Sequence, residues 1–514
     1  MIASIQSFVL QGIDPQPCEI EVDITADMPS EHGPPKPTVV GLPDTAVKES
    51  IERVTAAIQN SGFPMPSGKT TINLAPADVR KEGPVFDLPI AIALLVARGA
   101  LTPRHLDGLR FAGELALDGR VRPANGVINL ALLARDRGDS GVVVPRANAS
   151  EAAAVDGVAV YPVDTLRDVV ALLEAETLPA PLPPVDTAGL LQEADALLDF
   201  AEIRGQESAK RALMIAAAGS HNTLMIGPPG SGKTMLAKAL PGILPPLSRE
   251  EALEVTRIYS AIGQVPRDAP LVTRRPVRSP HHTASSAAVI GGGSNPRPGE
   301  VSLAHHGVLF LDELPEFPRG VLETLRQPLE DHVVSIARAR MSVRYPARFM
   351  LVAAMNPTPK GFKPDTPQSQ RAMDRYLEKL SGPLVDRVDI HIEVPAVPHD
   401  ELMGRRPGTG SAELRDRVTA ARAVQARRNG GPLRPNSTLG HGELDRHAPL
   451  DGESQAILRE ALDTLGLSAR AYDKIRRVAR TIADLEAEPD ISATHVLEAI
   501  AFRILDREPT LATA

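Results

Sequence analysis

The sequence predicts an α/β fold built around a phosphate-binding loop, and three observations predict it. Residues 227–234 read Gly-Pro-Pro-Gly-Ser-Gly-Lys-Thr, an unbroken G-x-x-x-x-G-K-[ST] pattern. The loop is bracketed by Thr223-Leu224-Met225-Ile226, apolar enough for a buried parallel strand, and by Met235-Leu236-Ala237-Lys238-Ala239-Leu240, helical in period and propensity. Two further apolar runs end in polar side chains: Gly307 to Leu311 leads into Asp312-Glu313, and Phe349 to Met355 leads into Asn356-Pro357.

Each part has a chemical reason. Glycines let the backbone curl until successive N–H groups face phosphate oxygens; Lys233 reaches the β and γ oxygens, and the Thr234 hydroxyl ligates Mg²⁺. The candidate nucleotide contacts are Gly227, Pro228, Pro229, Gly230, Ser231, Gly232, Lys233, Thr234 and Met235, with ATP and Mg²⁺ as ligands. Asp312 is expected to hold Mg²⁺ through water and Glu313 to polarise the attacking water, since hydrolysis needs a nucleophile in line with the γ phosphate. Asn356, at the end of a third strand, is suited to orienting that water. Arg387, in Ser381-Gly382-Pro383-Leu384-Val385-Asp386-Arg387-Val388-Asp389, is a candidate to meet a neighbouring subunit's triphosphate; a local salt bridge to Asp386 or Asp389 is the alternative.

Composition bounds the rest. The 514 residues suggest about three domains at ~150 residues each, and 43% hydrophobic content suffices for buried cores. No run approaches the roughly 18–20 apolar residues of a membrane span, and Met1-Ile2-Ala3-Ser4-Ile5-Gln6 has neither a basic segment nor an apolar signal core. A single cysteine, Cys18, fits a reducing cytoplasm. The net charge of -8 argues against a uniformly basic coat for nucleic acid, and 3% aromatic content argues against extensive base stacking. A local basic lining stays open: Ser335 to Arg348, with Arg338, Arg340 and Arg344, alternates polar and apolar residues as a two-stranded hairpin does, either tracking phosphates or merely carrying charged edges.

The chain resembles AAA+ ATPases of the magnesium-chelatase-like group, most closely the YifB/ComM family. The resemblance rests on the loop at 227–234, on Ser279-Pro280-His281-His282-Thr283-Ala284-Ser285, on Ile290-Gly291-Gly292-Gly293 with Pro296-Arg297-Pro298-Gly299-Glu300, on Leu303 to Phe317 around Asp312-Glu313, and on Ala353-Ala354-Met355-Asn356-Pro357. It implies a homo-hexameric ring with ATP between subunits, which makes Arg387 an arginine-finger candidate. It also implies a sensor 2 role for Arg470 at the start of a lid helix, over the nucleotide; on charge pattern alone Arg470 is one more base on a solvated face with Lys474, Arg476, Arg477 and Arg480. The Ser335–Arg348 hairpin and the loop Gly291, Gly292 and Gly293 become candidates for the central pore. The lead-in segment Phe200 to Gln206 is expected to lie against adenine, with Ile203 and Gly205 in contact. Relatives often carry cysteines after the sensor 1 asparagine; Pro357 to Lys363 has none, so no zinc is expected. The pairs His281-His282 and His305-His306 are read as family positions rather than a metal site.

Before the ATPase core, Lys81 to Asp87 and Gly113 to Val121 resemble the Lon proteolytic domain, an α+β fold of the ribosomal S5 domain 2 type. The serine position holds Val85 and the lysine position falls at Ile128, and neither side chain can attack a carbonyl or accept a proton. The expected organisation is a Lon-like domain without peptidase residues at 1–177, a Pro-rich linker at 178–198, an AAA+ core at 199–398 and a C-terminal helical lid at 399–514. The work expected of such a motor is translocation on single-stranded or branched DNA, as in branch migration during uptake of foreign DNA. A chelatase-type subunit driving metal insertion and a protein-remodelling machine are the alternatives. The inactive Lon-like domain, foreign to chelatase motor subunits, and the missing integrin-like domain favour DNA.

Overall fold

The computed structural model describes residues 2–25, 37–65, 68–192, 198–266, 269–293, 295–338, 341–357, 382–398, 408–465 and 467–503. The chain divides into two compact units, Met1–Leu190 with Ala252–Val272, and Leu191–Glu251 with Thr273–Ala514. These differ from divisions at 177, 198 and 398: the helices after 408 share one core with the sheet of this second unit, through Val418, Leu458, Ile475 and Val478 packed with Leu213, Met225 and Ile392.

In the first unit, β1 (Ile2–Gln11) and β2 (Asp14–Thr25) form an antiparallel hairpin, extended by β3 (Thr38–Val40) and β4 (Lys69–Ala75) in the order β1-β2-β4-β3. Cys18, Ile20 and Val22 alternate into the core, as period-2 patterning requires. A helix spans Thr45–Asn60, with the Asp44 carboxylate accepting from the Val47 N–H as an N-cap. A parallel trio, β5 (Leu109–Phe111), β6 (Gly141–Pro145) and β7 (Ala159–Val163), completes the unit. The Pro-rich stretch does not span open space: Leu182 N–H donates to Val160 and Val185 N–H to Ala153, tying it to this unit. Val85 is half-buried in the short turn Pro84–Phe86, and Ile128 is buried in the helix Val127–Arg137.

Part of the segment expected within the ATPase core also belongs here. The Gly126 N–H donates to the Ser260 carbonyl, and Asn129 exchanges bonds with Arg257, its amide donating to the carbonyl at 3.2 Å and its oxygen accepting from Nε at 3.1 Å. Burial pushes the Glu151 carboxyl up, opposed by Ser260, Asn148 and the Ile128 N–H, all of which donate to it. A buried acceptor needs those partners, which explains why 252–272 packs with this unit rather than with its sequence neighbours.

The second unit carries a five-stranded sheet. Its strands are β8 (Thr223–Ile226), β9 (Val277–Arg278), β10 (Val308–Leu311), β11 (Met350–Met355) and β12 (Ile390–Glu393), ordered β9-β10-β11-β8-β12 with every neighbouring pair parallel. Near-continuous apolar runs, such as fully buried Met350–Met355, are what a parallel sheet covered on both faces demands. Because all strands run the same way, one edge of the sheet carries every strand end and the other every strand start. The amphipathic helix Ala469–Leu485 packs its apolar face into the common core, and Arg428 and Arg480 close on buried Asp484 at 2.7 and 3.1 Å.

One buried pair fixes the start edge. Asp389 accepts from Lys474 at 2.8 Å and from the Asn222 N–H at 3.0 Å. Burial alone would raise its carboxyl, but Lys474 and His221 outweigh that and hold it well below the carboxylate range. A depressed folded pKa contributes stability that is present above the unfolded value near ~4 and fades as pH falls below it. Asp389→Asn is therefore expected to cost about 3–5 kcal/mol at pH 7, leaving Lys474 uncompensated. Denaturant melts should find that penalty shrinking as pH drops below about 4.

Candidate functional site

The predicted phosphate loop turns sharply between β8 and the helix Lys233–Ala239, with Gly230 and Gly232 at φ 77° and 91°. Gly227 answers a different demand: a Cβ there would lie 2.0 Å from the Val394 carbonyl oxygen, so only glycine lets the loop pass β12. Lys233 is buried, and its ammonium donates to the carbonyls of Gly227 at 2.7 Å and Pro228 at 2.9 Å and to Asn356 Oδ1 at 3.3 Å. Burial lowers its pKa, opposed by the charge of Asp312. Thr234 Oγ1 donates to Asp312 Oδ2 at 2.8 Å, bringing together the hydroxyl and carboxylate suited to one hard cation. The Glu313 N–H donates to Asp312 Oδ1 at 3.0 Å. Lys233, Thr234, Asp312, Glu313 and Asn356 thus gather at the strand-end edge, on β8, β10 and β11.

Ile203 is buried in the core of this loop's unit, Gly205 has φ 62°, and Met235 is exposed. Gln206, which sequence reasoning passed over, holds this lead-in segment to the loop: its amide donates to the carbonyls of Ser231 at 3.1 Å and Pro395 at 2.6 Å. A lone glutamine in a loop carries no spacing signal that would have found it.

Arg387 and Arg470 lie elsewhere. They line a cleft of about 360 Å³ together with Asn222, Phe349 and Asp389, the residues immediately preceding β8, β11 and β12. That is the strand-start edge, separated from the phosphate loop by the length of β8, about 13 Å for four residues. Sheet polarity thus places Arg470, expected over the nucleotide, at the edge opposite its own chain's phosphate loop. Arg470 keeps 61% of its side chain exposed, as a solvated face would have it, but Lys474, Arg476 and Arg480 do not share that face: they are buried and paired. Arg387 pairs with Glu330 at 2.5 Å, not with Asp386 or Asp389, and Glu330 also lies 3.9 Å from Arg470. The Asn222 amide accepts from the Leu351 N–H at 2.9 Å and donates to the Arg387 carbonyl at 3.2 Å, setting the backbone that carries Arg387.

The expected basic hairpin forms from Val333–Arg338 and Met341–Pro346. Its buried face holds Val334, Ile336, Val343 and Tyr345, with the Tyr345 hydroxyl donating to the Pro296 carbonyl at 2.7 Å. The register pairs Arg344 with Ser335 and Arg338 with Met341, so Arg338 and Arg344 project from opposite faces rather than forming one row. Arg338 instead reaches the glycine loop, where Gly291, Gly292 and Gly293 all have positive φ and a Cβ on Gly292 would lie 3.3 Å from its guanidinium. The two candidate pore elements thus pack together. Arg340 and the segment 358–363, where zinc was not expected, lie outside the described residues.

Of the two histidine pairs, His305 and His306 lie with ring centroids 4.0 Å apart and planes tilted by 51°, and His305 Nδ1 accepts from the Arg348 N–H at 3.0 Å. His282, whose ring lies tilted 4.1 Å from that of His281, has a relation the sequence did not disclose: its Nδ1 lies 3.2 Å from Glu313 Oε2.

Comparison with known proteins places the chain in a family. Family models described as magnesium chelatase subunit ChlI match residues 199–402, as subunit ChlI of Mg-chelatase 21–148, and as the C-terminal part of subunit ChlI 408–503. The chain is 45% identical to the competence protein ComM of Haemophilus influenzae over 94% of its own length and 95% of that protein's. It is 44% identical to YifB of Escherichia coli over 96% of each. The chain belongs to the YifB/ComM family of magnesium-chelatase-like AAA+ ATPases. A magnesium-chelatase 38 kDa subunit from Cereibacter sphaeroides is more distant, 26% identical over 44% of this chain and 72% of that one. Among the described residues, no helix is long and apolar enough to cross a membrane.

Proposed function

We propose that the chain is an ATP-hydrolysing ring motor whose track is DNA. The observation that carries the ring is the division of the site: the phosphate loop and carboxylates stand at one edge of the sheet, and Arg387 with Arg470 at the other. A half-site on each edge is completed by a second copy, most simply in a closed ring, for which the family resemblance implies six copies. Gly227 to Thr234, with Met235, Ile203 and Gly205, would hold ATP, and Thr234 and Asp312 would hold Mg²⁺, which neutralises phosphate charge when bound. Glu313 takes a proton from water as its oxygen bonds the γ phosphorus and the bond to ADP breaks. Asn356 orients that water, and the neighbour's Arg387 and Arg470 meet the charge building on the phosphoryl oxygens.

The track is read from the packed pair of hairpins. Arg344 on the exposed face and Arg338 over the glycine loop, repeated around a ring, favour a polyanion. Kinship with a competence protein supports branched or single-stranded DNA in the cytoplasm, and branch migration of recombination intermediates as the work. Val85 and Ile128 support a Lon-like first unit with no peptidase activity. The matches to chelatase subunits favour a second reading, a motor that drives metal insertion through a partner. ATPase rates with and without single-stranded and forked DNA separate the two. Forked DNA is expected to stimulate the wild type at low salt, and Arg338→Ala and Arg344→Ala to lose that stimulation. Indifference of all three proteins to DNA would remove the DNA reading.

A further inference from the structure

We infer that Arg503 is a positioning residue for Arg387, fixing the backbone that immediately follows it and so setting where the Arg387 guanidinium stands at the strand-start edge. The inference rests on reading Arg387 as the group that meets a neighbour's triphosphate. Three observations carry it. First, Arg503 is only 1% exposed, and its Nη1 donates to the carbonyl of Val388 at 2.7 Å and to that of Asp389 at 3.2 Å, the two residues after Arg387. Second, the segment that brings it there is tied to the same strand. The helix Ala493–Ala501 closes with the Phe502 N–H on the Ala499 carbonyl and the Arg503 N–H on that of Ile500, and the Phe502 carbonyl accepts from the His391 N–H at 2.7 Å. β12 is the last strand of its sheet, so Phe502 supplies a partner that no further strand provides. Third, the guanidinium is not a group that stability alone would select at this depth. Burial holds the His391 imidazole well below its usual range and lowers Lys474 against the pull of Asp389, and the Arg503 charge pushes both the same way. An apolar side chain of similar volume would fill the space without opposing its neighbours. What arginine adds is a directed hold on two consecutive carbonyls.

That hold completes a series. The Arg387 and Val388 N–H groups close a turn on Leu384 and Val385 at 3.0 and 2.9 Å. Beyond it the carbonyls of Arg387, Val388 and Asp389 are taken in succession by Asn222, by Lys474 with Arg503, and by Arg503. Arg387 is thus fixed from both sides of its Cα. Displacing a group that acts on a reacting centre by ~1 Å can cost about 10²-fold in rate. The phosphate loop of the same chain lies at the far edge of the sheet, so its own affinity for nucleotide should not respond.

Steady-state ATP turnover of the full chain, beside titration with a fluorescent ATP analogue, tests this. Arg503→Met keeps the side chain's reach and loses its donors, so kcat is expected to fall about 10–10²-fold with Kd unchanged. Arg503→Lys, whose ammonium can donate to both carbonyls, is expected to recover most of the rate, a difference that a role in packing alone would not produce. Assembled with Lys233→Ala, which carries an intact Arg387, Arg503→Met should turn over ATP well above the sum of the two, because its phosphate loop is unimpaired. If Arg503→Met does not fold, Arg503→Gln, neutral and too short to reach both carbonyls, takes its place with the same expectations. An unchanged kcat, a weakened Kd, or no gain on mixing in a verified assembly overturns the positioning role while leaving Arg387 in its own. Wild-type turnover in Arg387→Ala would instead overturn the reading of Arg387 itself.

Discussion

Lys233→Ala is expected to abolish turnover by removing nucleotide affinity. In the structure the ammonium is buried and directed by the carbonyls of Gly227 and Pro228 and by Asn356 into the centre of the loop. Removing one partner of a desolvated charge pair costs about 2–5 kcal/mol, which is a factor of roughly 30 to 5,000 in Kd. Titration with a fluorescent ATP analogue reads this directly. A thermal melt run beside it distinguishes a site effect from misfolding: the alanine side chain fits a helix interior, so the melting temperature should move little. Retained affinity in a folded Lys233→Ala variant would mean that the loop's backbone alone binds the triphosphate.

Arg387→Ala should have the other large effect, on rate instead of binding. An arginine supplied in trans to a phosphoryl group contributes about 10³–10⁵ in kcat. Its own phosphate loop lies at the far edge of the sheet, so nucleotide affinity of the isolated subunit should be unchanged. If Arg387 served only its pair with Glu330, the loss would be within about 1 kcal/mol of stability, since Glu330 is half exposed, and turnover would hardly change. Arg470 is more exposed and makes only distant contacts at 3.9 and 4.0 Å, which leaves it free to engage a neighbour; Arg470→Ala should lower kcat in the same direction by a smaller factor.

Much of the strand-end edge was legible in the sequence because its chemistry is local. The loop at 227–234, Asp312-Glu313 and Asn356 each follow an apolar run directly, so strand, then polar terminus, can be read along the chain. What could not be read is where long-range packing decides. Arg470 sits at a helix start as expected, but the edge it reaches depends on how Lys474 locks that helix to Asp389, a contact 85 residues apart in sequence. The assignment of 252–272 to the first unit depends on a buried Glu151 finding Ser260, with no composition change to announce it. The hairpin's alternation was legible, yet the opposite facing of Arg338 and Arg344 follows only from the pairing register. His282 and Glu313 are joined because β9 and β10 are neighbours, and strand order is a property of the sheet rather than of either segment.

The central claim is that each site is shared between copies, with Lys233 from one and Arg387 from the next. Mixing Lys233→Ala with Arg387→Ala tests it most directly, after co-purification has verified that the two variants assemble together. Some interfaces in the mixture pair an intact phosphate loop with an intact Arg387, so ATP turnover should rise well above the sum of the two inactive proteins. A verified mixed assembly that turns over ATP no faster than that sum would contradict a site completed in trans.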